Sequence, residues 1–509
     1  MVGILVDQGK VEWTTQLQQV FPEFQRNDGA TNITVADLLS HRTGLPSYDA
    51  LWLVSDNQMP LGRSDAIKLL NYVPAFAPVR TEFLYNNMAY EALGAVIEKR
   101  SGNSYASFLH KHILEPLGLS QTFYTDIPLD DANLALPYIA LANATPYQIP
   151  QPIHGKDVLI GPAGGIRSTV GDLLMFYKAL IDAARAEVEL TTTVGSRGPL
   201  RGLKHLWRGM ISVWTSTLRE YSYAAGWFRA ELPAPPPLVW GDGPGMDPMI
   251  GHGLQSRLGL FHGGNIAGFT SWTAVFPETS SAVVVLSNSL PLADCVRLVG
   301  QLLIEELFGN TINASHYLEF AKSAAEQSAS HMSHIKDDLL EHKTVDSPAY
   351  PLQAYVGKYY NAPGNCFVDI REVERDGERQ LRVYFMGSSS SQRANTTEKR
   401  HDEDRDGFDL EPYQHNSFFW WMSHDELAQR ARYTNWPKEY YIIEFDLSDR
   451  EQGCVCSDAE PHIKCLRWKH EFSLPGPGEL FRRIDSPGRK EWSWLRKESW
   501  QNQLFNWII

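Results

Sequence analysis

At Phe269 the spacing of apolar residues changes from helical to alternating, and that change limits what the first three hundred residues can fold into. Phe269 to Phe276 and Ala282 to Asn288 are rich in aromatic and β-branched side chains, with Pro277-Glu278-Thr279-Ser280 between them. This pattern predicts two strands joined by a short turn. Asp294 to Leu307 returns to helical spacing and closes the unit. Upstream the pattern is largely helical. Val2 to Val6 is an apolar run stopped by Asp7-Gln8-Gly9-Lys10. Thr34 is placed to cap Val35 to Ser40, which Gly44-Leu45-Pro46 ends, and Ser64 to cap Asp65 to Asn71. Gly161 to Ala183 opens as a Gly-rich loop and becomes helical from about Thr169. Residues 1–310 therefore read as one α/β unit.

A second change comes after residue 310. Residues 311–348 read as a linker, with Ser323 to Val345 polar and rich in Ser, His and charge, suited to a helix or a loop. From Tyr350 short β-like runs appear, including Phe367 to Val373, Leu381 to Phe385 and Tyr440 to Phe445, between charged stretches such as Arg400 to Asp406. They predict a small β-barrel or sandwich over 349–485. The tail 486–509 carries four of the 15 tryptophans. It fits an amphipathic docking helix or a non-native segment, and its residues do not choose between them.

Charge excludes some functions. Sixty acidic against 46 basic side chains give a net charge of −14. That balance argues against nucleic acid or an anionic membrane as the main partner. No apolar run approaches the roughly 20 residues of a spanning helix. The five cysteines are odd in number and scattered, so no disulfide framework is expected. Cys454-Val455-Cys456 with His462 and Cys465 has the ligand types of a zinc site, but not a familiar spacing, and reads instead as surface cysteines on a β-domain loop. Sequons at Asn32, Asn143, Asn313 and Asn395 arise readily by chance in 509 residues. No signal peptide is visible. Compartment and oligomeric state are not set by the sequence.

The chemistry gathers around Tyr85-Asn86-Asn87, which runs into the helical pattern Met88 to Glu98. A tyrosine and an asparagine two apart, ahead of a helix, can both face one cleft, and Asn87 is also placed to cap the first turn. Three further blocks accompany it. They are Ile33-Thr34-Val35-Ala36-Asp37-Leu38-Leu39-Ser40-His41-Arg42-Thr43-Gly44-Leu45-Pro46, then Pro162 to Thr169 with Asp172, then His262-Gly263-Gly264-Asn265-Ile266-Ala267-Gly268-Phe269. In this order and spacing the blocks resemble the penicillin-recognising serine hydrolases: class C β-lactamases, DD-peptidases and related esterases and transesterases. Leu352 to Tyr359 resembles the start of the lipocalin-like domain attached to some of them.

The resemblance implies a β-lactamase/transpeptidase-like α/β fold, an antiparallel sheet flanked by helices with a helical lobe, followed by a small all-β barrel-like domain. It also implies acyl transfer through a serine ester with a small-molecule acyl substrate and no cofactor. A serine hydroxyl needs a neighbour to take its proton, and in this family a lysine three residues on and the tyrosine do so. Tyr85 would relay the proton, Asn87 would bind the acyl side of the substrate, and His262 would orient substrate where β-lactamases carry lysine. Gly263, Gly264 and Asn265 would line the substrate strand, which supplies one oxyanion-hole N–H. A largely neutral histidine leans the substrate towards esters, amides or thioesters rather than carboxylates.

One part departs from the pattern. The sole Ser-x-x-Lys is Ser333-His334-Ile335-Lys336, after every other block, and reads as coincidence. The family's motif would precede Val2, so the sequence leads us to expect a longer native chain. Absent the family's first strands, we expect a raw sheet edge and an exposed apolar face on Val2 to Val6. The alternative is a catalytically inactive binding protein. Ser168 and Thr169 are expected to cap the helix before Asp172, Gly164-Gly165 to form a turn, and His41 and Arg42 to make structural contacts.

Overall fold

The computed structural model describes residues 1–52, 59–124, 133–152, 159–188, 198–213, 218–236, 249–310, 314–344, 347–375, 377–387, 407–446 and 463–484. The chain divides into two compact units, residues 1–47 with 77–330 and residues 48–76 with 331–509. The sequence grouped 48–76 with the first unit. The linker is divided, with 314–330 in the first unit and 331–344 in the second, which also holds the described barrel residues. The tail, Cys454, Cys456 and His462 lie outside the described residues.

The first unit is built on a six-stranded antiparallel sheet in chain order: β1 (Ile211–Ser212), β2 (Tyr221–Tyr223), β3 (Phe228–Leu232), β4 (Arg257–Ile266), β5 (Phe269–Phe276) and β6 (Ser281–Ser287). The alternation read after Phe269 thus becomes the hairpin β5–β6, with Thr270 opposite Ser287 and Phe276 opposite Ser281. Helix α1 (Val2–Asp7) packs on α3 (Asn87–Ser101), and α4 (Val170–Val188) and α5 (Cys295–Leu307) cover β6. Tyr138–Ala140 pairs with Pro146–Gln148 and, in parallel, with Ser289–Leu290, a small sheet that no alternation in the sequence foretold.

Local chemistry explains most helix starts. Helix α2 (Val35–Leu39) opens with a reciprocal box: Thr34 accepts from Asp37 N–H, and Asp37 accepts from Thr34 N–H. Asp294 caps α5 through Arg297 N–H, and Thr169 caps α4 through Asp172 N–H at 3.2 Å, while Ser168 instead meets Thr122 at 2.8 Å. Ser64 sits instead in a tight turn at Arg63–Asp65, where Asp65 accepts from Gly62 N–H, and Asp65 is the N-cap of Ala66–Tyr72 without a side-chain bond to it.

The expected edge is present and the expected exposure is not. Among the described residues β6 has one strand neighbour. Val2, Ile4 and Leu5 of α1 are nevertheless buried, and Gly3 fits closely against the Arg201 carbonyl. The apolar face is covered because α3 and the segment near Leu206 close over it.

The linker is mostly one long helix, α6 (Ala314–Glu341). Its first turns cluster with α5 through Leu298, Tyr317 and Phe320. In the second unit, the Met332 carbonyl of this helix accepts from Trp421 Nε1–H and the Lys336 ammonium sits 4.2 Å from the Trp421 ring.

The second unit contains a closed, antiparallel, eight-stranded barrel: β7 (Gly357–Tyr360), β8 (Cys366–Arg375), β9 (Glu378–Gly387), β10 (Phe408–Pro412), β11 (Ser417–Phe419), β12 (Ile442–Asp446), β13 (Cys465–Trp468) and β14 (Glu479–Arg483). Pairing of Tyr359 with Arg483 closes it, which removes the sheet edges an open β-domain would expose. Tyr440 and Tyr441 precede the strand read there, held in a 3-10 turn after Pro437. Cys465 is buried in β13 rather than on a surface loop.

Candidate active site

Residues 83–86 belong to no helix or strand. Asn86 is the N-cap of α3, its side chain accepting from Ala89 N–H at 3.0 Å. Its amide group donates to the carbonyls of Leu45 and Pro46 at 3.1 and 2.9 Å, and the residue is fully buried. Capping therefore falls to Asn86, and Asn87 is the first helical residue. The sequence missed this because two adjacent asparagines offer the same cap chemistry, and only the turn into the helix separates them.

Tyr85, one residue earlier, is half-buried with its ring 6.1 Å from that of His262 on β4. His262 is tied down at both nitrogens. Nδ1 bonds the Gly263 carbonyl at 2.6 Å, and Nε2 meets the Tyr223 hydroxyl at 3.2 Å. Donation from Nδ1–H makes Nε2 the acceptor of the phenol. Burial holds the His262 pKa below the ordinary histidine value, so the ring is neutral at pH 7. Burial also raises Tyr223 well above the usual phenol range, helped by the neighbouring phenols of Tyr90 and Tyr85. Tyr223 therefore stays protonated.

His41 stands at the centre of this cluster, within 4.2 Å of Tyr85, 5.0 Å of Tyr90 and 4.9 Å of Tyr223, centroid to centroid. Phe83 and Phe228 complete the aromatic wall. The loop bearing His41 is anchored by the buried Asp37, whose carboxylate meets Arg42 at 2.7 Å and Arg80 at 2.6 Å. Gly44, at φ 74°, lies so close to the Ala77 carbonyl that a side chain would collide with it. The sequence carried His41 inside a recognised block, but its nearness to Tyr85 is a property of the folded loop.

Strand β4 presents an edge to the same region. β3 pairs with it only as far as Phe228 opposite Phe261, so His262 and the residues after it have no strand on that side among the described residues. Opposite His262 stands Thr273, and opposite Gly263 stands Trp272, which packs on Gly300 of α5. Alternation puts Gly263 and Asn265 on that α5 face and His262 and Gly264 on the other. Tyr85, His262 and the β4 backbone come together, whereas the Asn265 side chain leaves on the opposite face. Among the described residues no group of three or more His, Cys, Asp or Glu side chains is arranged to hold a metal, and no helix is long and apolar enough to cross a membrane.

Residues 1–305 match the family described as Beta-lactamase. The chain belongs to that family. Its curated relatives include the unguisins hydrolases of Aspergillus campestris, 23% identical over 70% of this chain and 63% of the relative, and Aspergillus violaceofuscus, 25% identical over 69% and 61%. This Beta-lactamase family member thus spans somewhat over three fifths of those relatives' length. Penicillin-binding protein 4* of Bacillus subtilis is 24% identical over 35% of the chain and 41% of its own. Among solved structures, the octameric penicillin-binding protein homologue from Pyrococcus abyssi aligns with 88% of the chain and 82% of its own, at 18% identity and a TM-score of 0.46. The family is one of serine hydrolases and acyltransferases.

Proposed function

We propose that the first unit is an acyl-transfer site in which a serine attacks a small ester, amide or thioester and Tyr85 carries the proton to the leaving group. The observation that carries this reading is the convergence of the Tyr85 phenol, the His262 imidazole and the open edge of β4. In the first step the hydroxyl oxygen bonds the acyl carbon as its proton passes to the Tyr85 oxygen, the phenol proton passes to the leaving group, and the bond between that group and the acyl carbon breaks. Water then attacks the ester by the same route in reverse. A β4 backbone N–H would stabilise the oxyanion. The Asn87 amide binds the acyl side of the substrate, with Gly263 and Gly264 lining the strand. A neutral His262 favours an uncharged acyl donor over a free carboxylate. The names of the Aspergillus relatives favour hydrolysis as the outcome.

The reading requires a serine nucleophile paired with lysine, and no serine of the first unit has lysine three residues on. Reaction with a fluorophosphonate probe tests it. The 509-residue chain should remain unlabelled, and joining an upstream Ser-x-x-Lys segment should restore labelling. Once labelling is restored, Tyr85→Phe should lower turnover by about 100- to 10,000-fold, the contribution of a positioned proton carrier. Unchanged turnover removes Tyr85 from the mechanism. The second reading, an inactive binding protein, keeps the same site without a nucleophile, as the first unit's serines, none with lysine three residues on, would allow. It predominates if the extended chain binds an acyl ligand and is never labelled.

A further inference from the structure

We propose that His41 is a positioning residue, fixing the Tyr85 loop by accepting the Asn86 backbone N–H on its imidazole. The proposal rests on Tyr85 as the reacting phenol, but its test does not. Residues 83–86 lie outside every helix and strand, and both amides that flank residue 85 end on one residue. Leu84 N–H donates to the His41 carbonyl at 2.8 Å, and Asn86 N–H donates to His41 Nδ1 at 3.0 Å. The ring then covers Tyr85 at 4.2 Å, tilted 38°. Residue 85 is therefore held before, behind and across its ring by a single side chain and its carbonyl.

The state of the imidazole follows from the bond it makes. An Nδ1 that accepts an N–H carries no proton, so the proton sits on Nε2 and the ring is neutral. Protonation would turn Nδ1 into a donor facing a donor. Nε2 is buried and bonds nothing among the described residues. The Asn86 amide is thus the one polar group the ring serves. Burial first, and then His262, hold the ring well below the ordinary histidine pKa, which keeps the accepting form. His41 itself sits at φ 53°, an unfavourable region for a residue with a Cβ. Arg42 on Asp37, and Arg80 N–H on the Arg42 carbonyl at 2.8 Å, brace the next residue of the chain.

The test compares His41→Asn with His41→Gln in the 509-residue chain. The Asn carbonyl oxygen takes the place of Nδ1, whereas the Gln amide reaches only the place of Nε2. Amide exchange is read at Asn86 and Leu84 by NMR, with the ring signals of labelled Tyr85. The Leu84 bond uses the residue 41 carbonyl, which neither substitution removes, so it is an internal control. Asn86 exchange should quicken about tenfold or more in the Gln variant, the equivalent of one net hydrogen bond. It should stay near wild type in the Asn variant, with Leu84 protected in both and Tyr85 signals displaced only in the Gln variant. Unchanged Asn86 protection in His41→Gln overturns the proposal. So does joint loss at Leu84 and Asn86, which would mean that residue 41 acts by packing alone. Failure of the acyl-transfer reading would appear separately, as an unaltered Tyr85→Phe turnover or an extended chain that never labels.

Discussion

His41 and His262 share one electrostatic situation. Each is enclosed by aromatic rings, and burial disfavours its charged form. The unfolded chain takes up protons at both near pH 6.5 while the folded chain does not. Stability is therefore complete above that pH and falls as pH drops through it towards the lowered folded values. Thermal melts between pH 7.5 and 5 should show a falling midpoint, with a shallower fall in His41→Asn. A midpoint indifferent to pH would show that neither ring is held neutral. Asn86 carries a different load, since it caps α3 and bonds two carbonyls. Asn86→Ala should cost roughly 2 kcal/mol or more, measured by denaturant unfolding. Of these residues, the sequence identified Tyr85 and His262 by their motifs. It could not single out His41 or Asn86, because a contact 45 residues away in the chain leaves no local periodicity.

At the scale of elements, close approach limits substitution. Gly300 on α5 abuts the Trp272 ring of β5, and an added Cβ would stand 2.1 Å from it. Gly300→Ala should therefore force helix and sheet apart, at about 1–3 kcal/mol of stability, seen as a lower unfolding midpoint with secondary structure retained. Asp37 makes the converse case. Its carboxylate is fully buried, with Arg42 and Arg80 on it. Asp37→Ala removes the shared carboxylate from two partly exposed guanidinium groups and the box at the start of α2, and is expected to lower the unfolding midpoint and to loosen the His41 loop. Hairpin β5–β6, α2 and α5 were legible because period, cap and turn agreed. The strands Tyr138–Ala140 and Pro146–Gln148 were not. Two or three residues are too few for alternation to register, and tertiary pairing alone orders them.

For the molecule as a whole, the assignment of residues 48–76 matters most. Within the second unit, Tyr48 N–H donates to Glu471 at 2.9 Å and its ring meets His470 edge-on at 4.9 Å. Pro60 lies against Gly387 of β9. His470 and Glu479 form a buried pair at 2.5 Å. The closed barrel is thus packed by a segment far away in sequence. A fragment of residues 331–509 is expected to melt well below the barrel of the full chain, and a peptide spanning 48–76 to raise its midpoint. Equal melting with and without the peptide would show the barrel to be self-sufficient.

By itself the sequence determined most element types, the order of the four blocks and the barrel-like second region, through local periodicity, capping and short motifs. The pairing of a tyrosine loop with a histidine strand came only as what the family resemblance implied. The tertiary structure alone decided that 48–76 joins the barrel, that Asn86 rather than Asn87 caps the helix, and that His41 grips both amides around Tyr85. Each of these depends on groups brought together by chain closure, and the energy of such contacts is not encoded in the spacing of neighbouring residues.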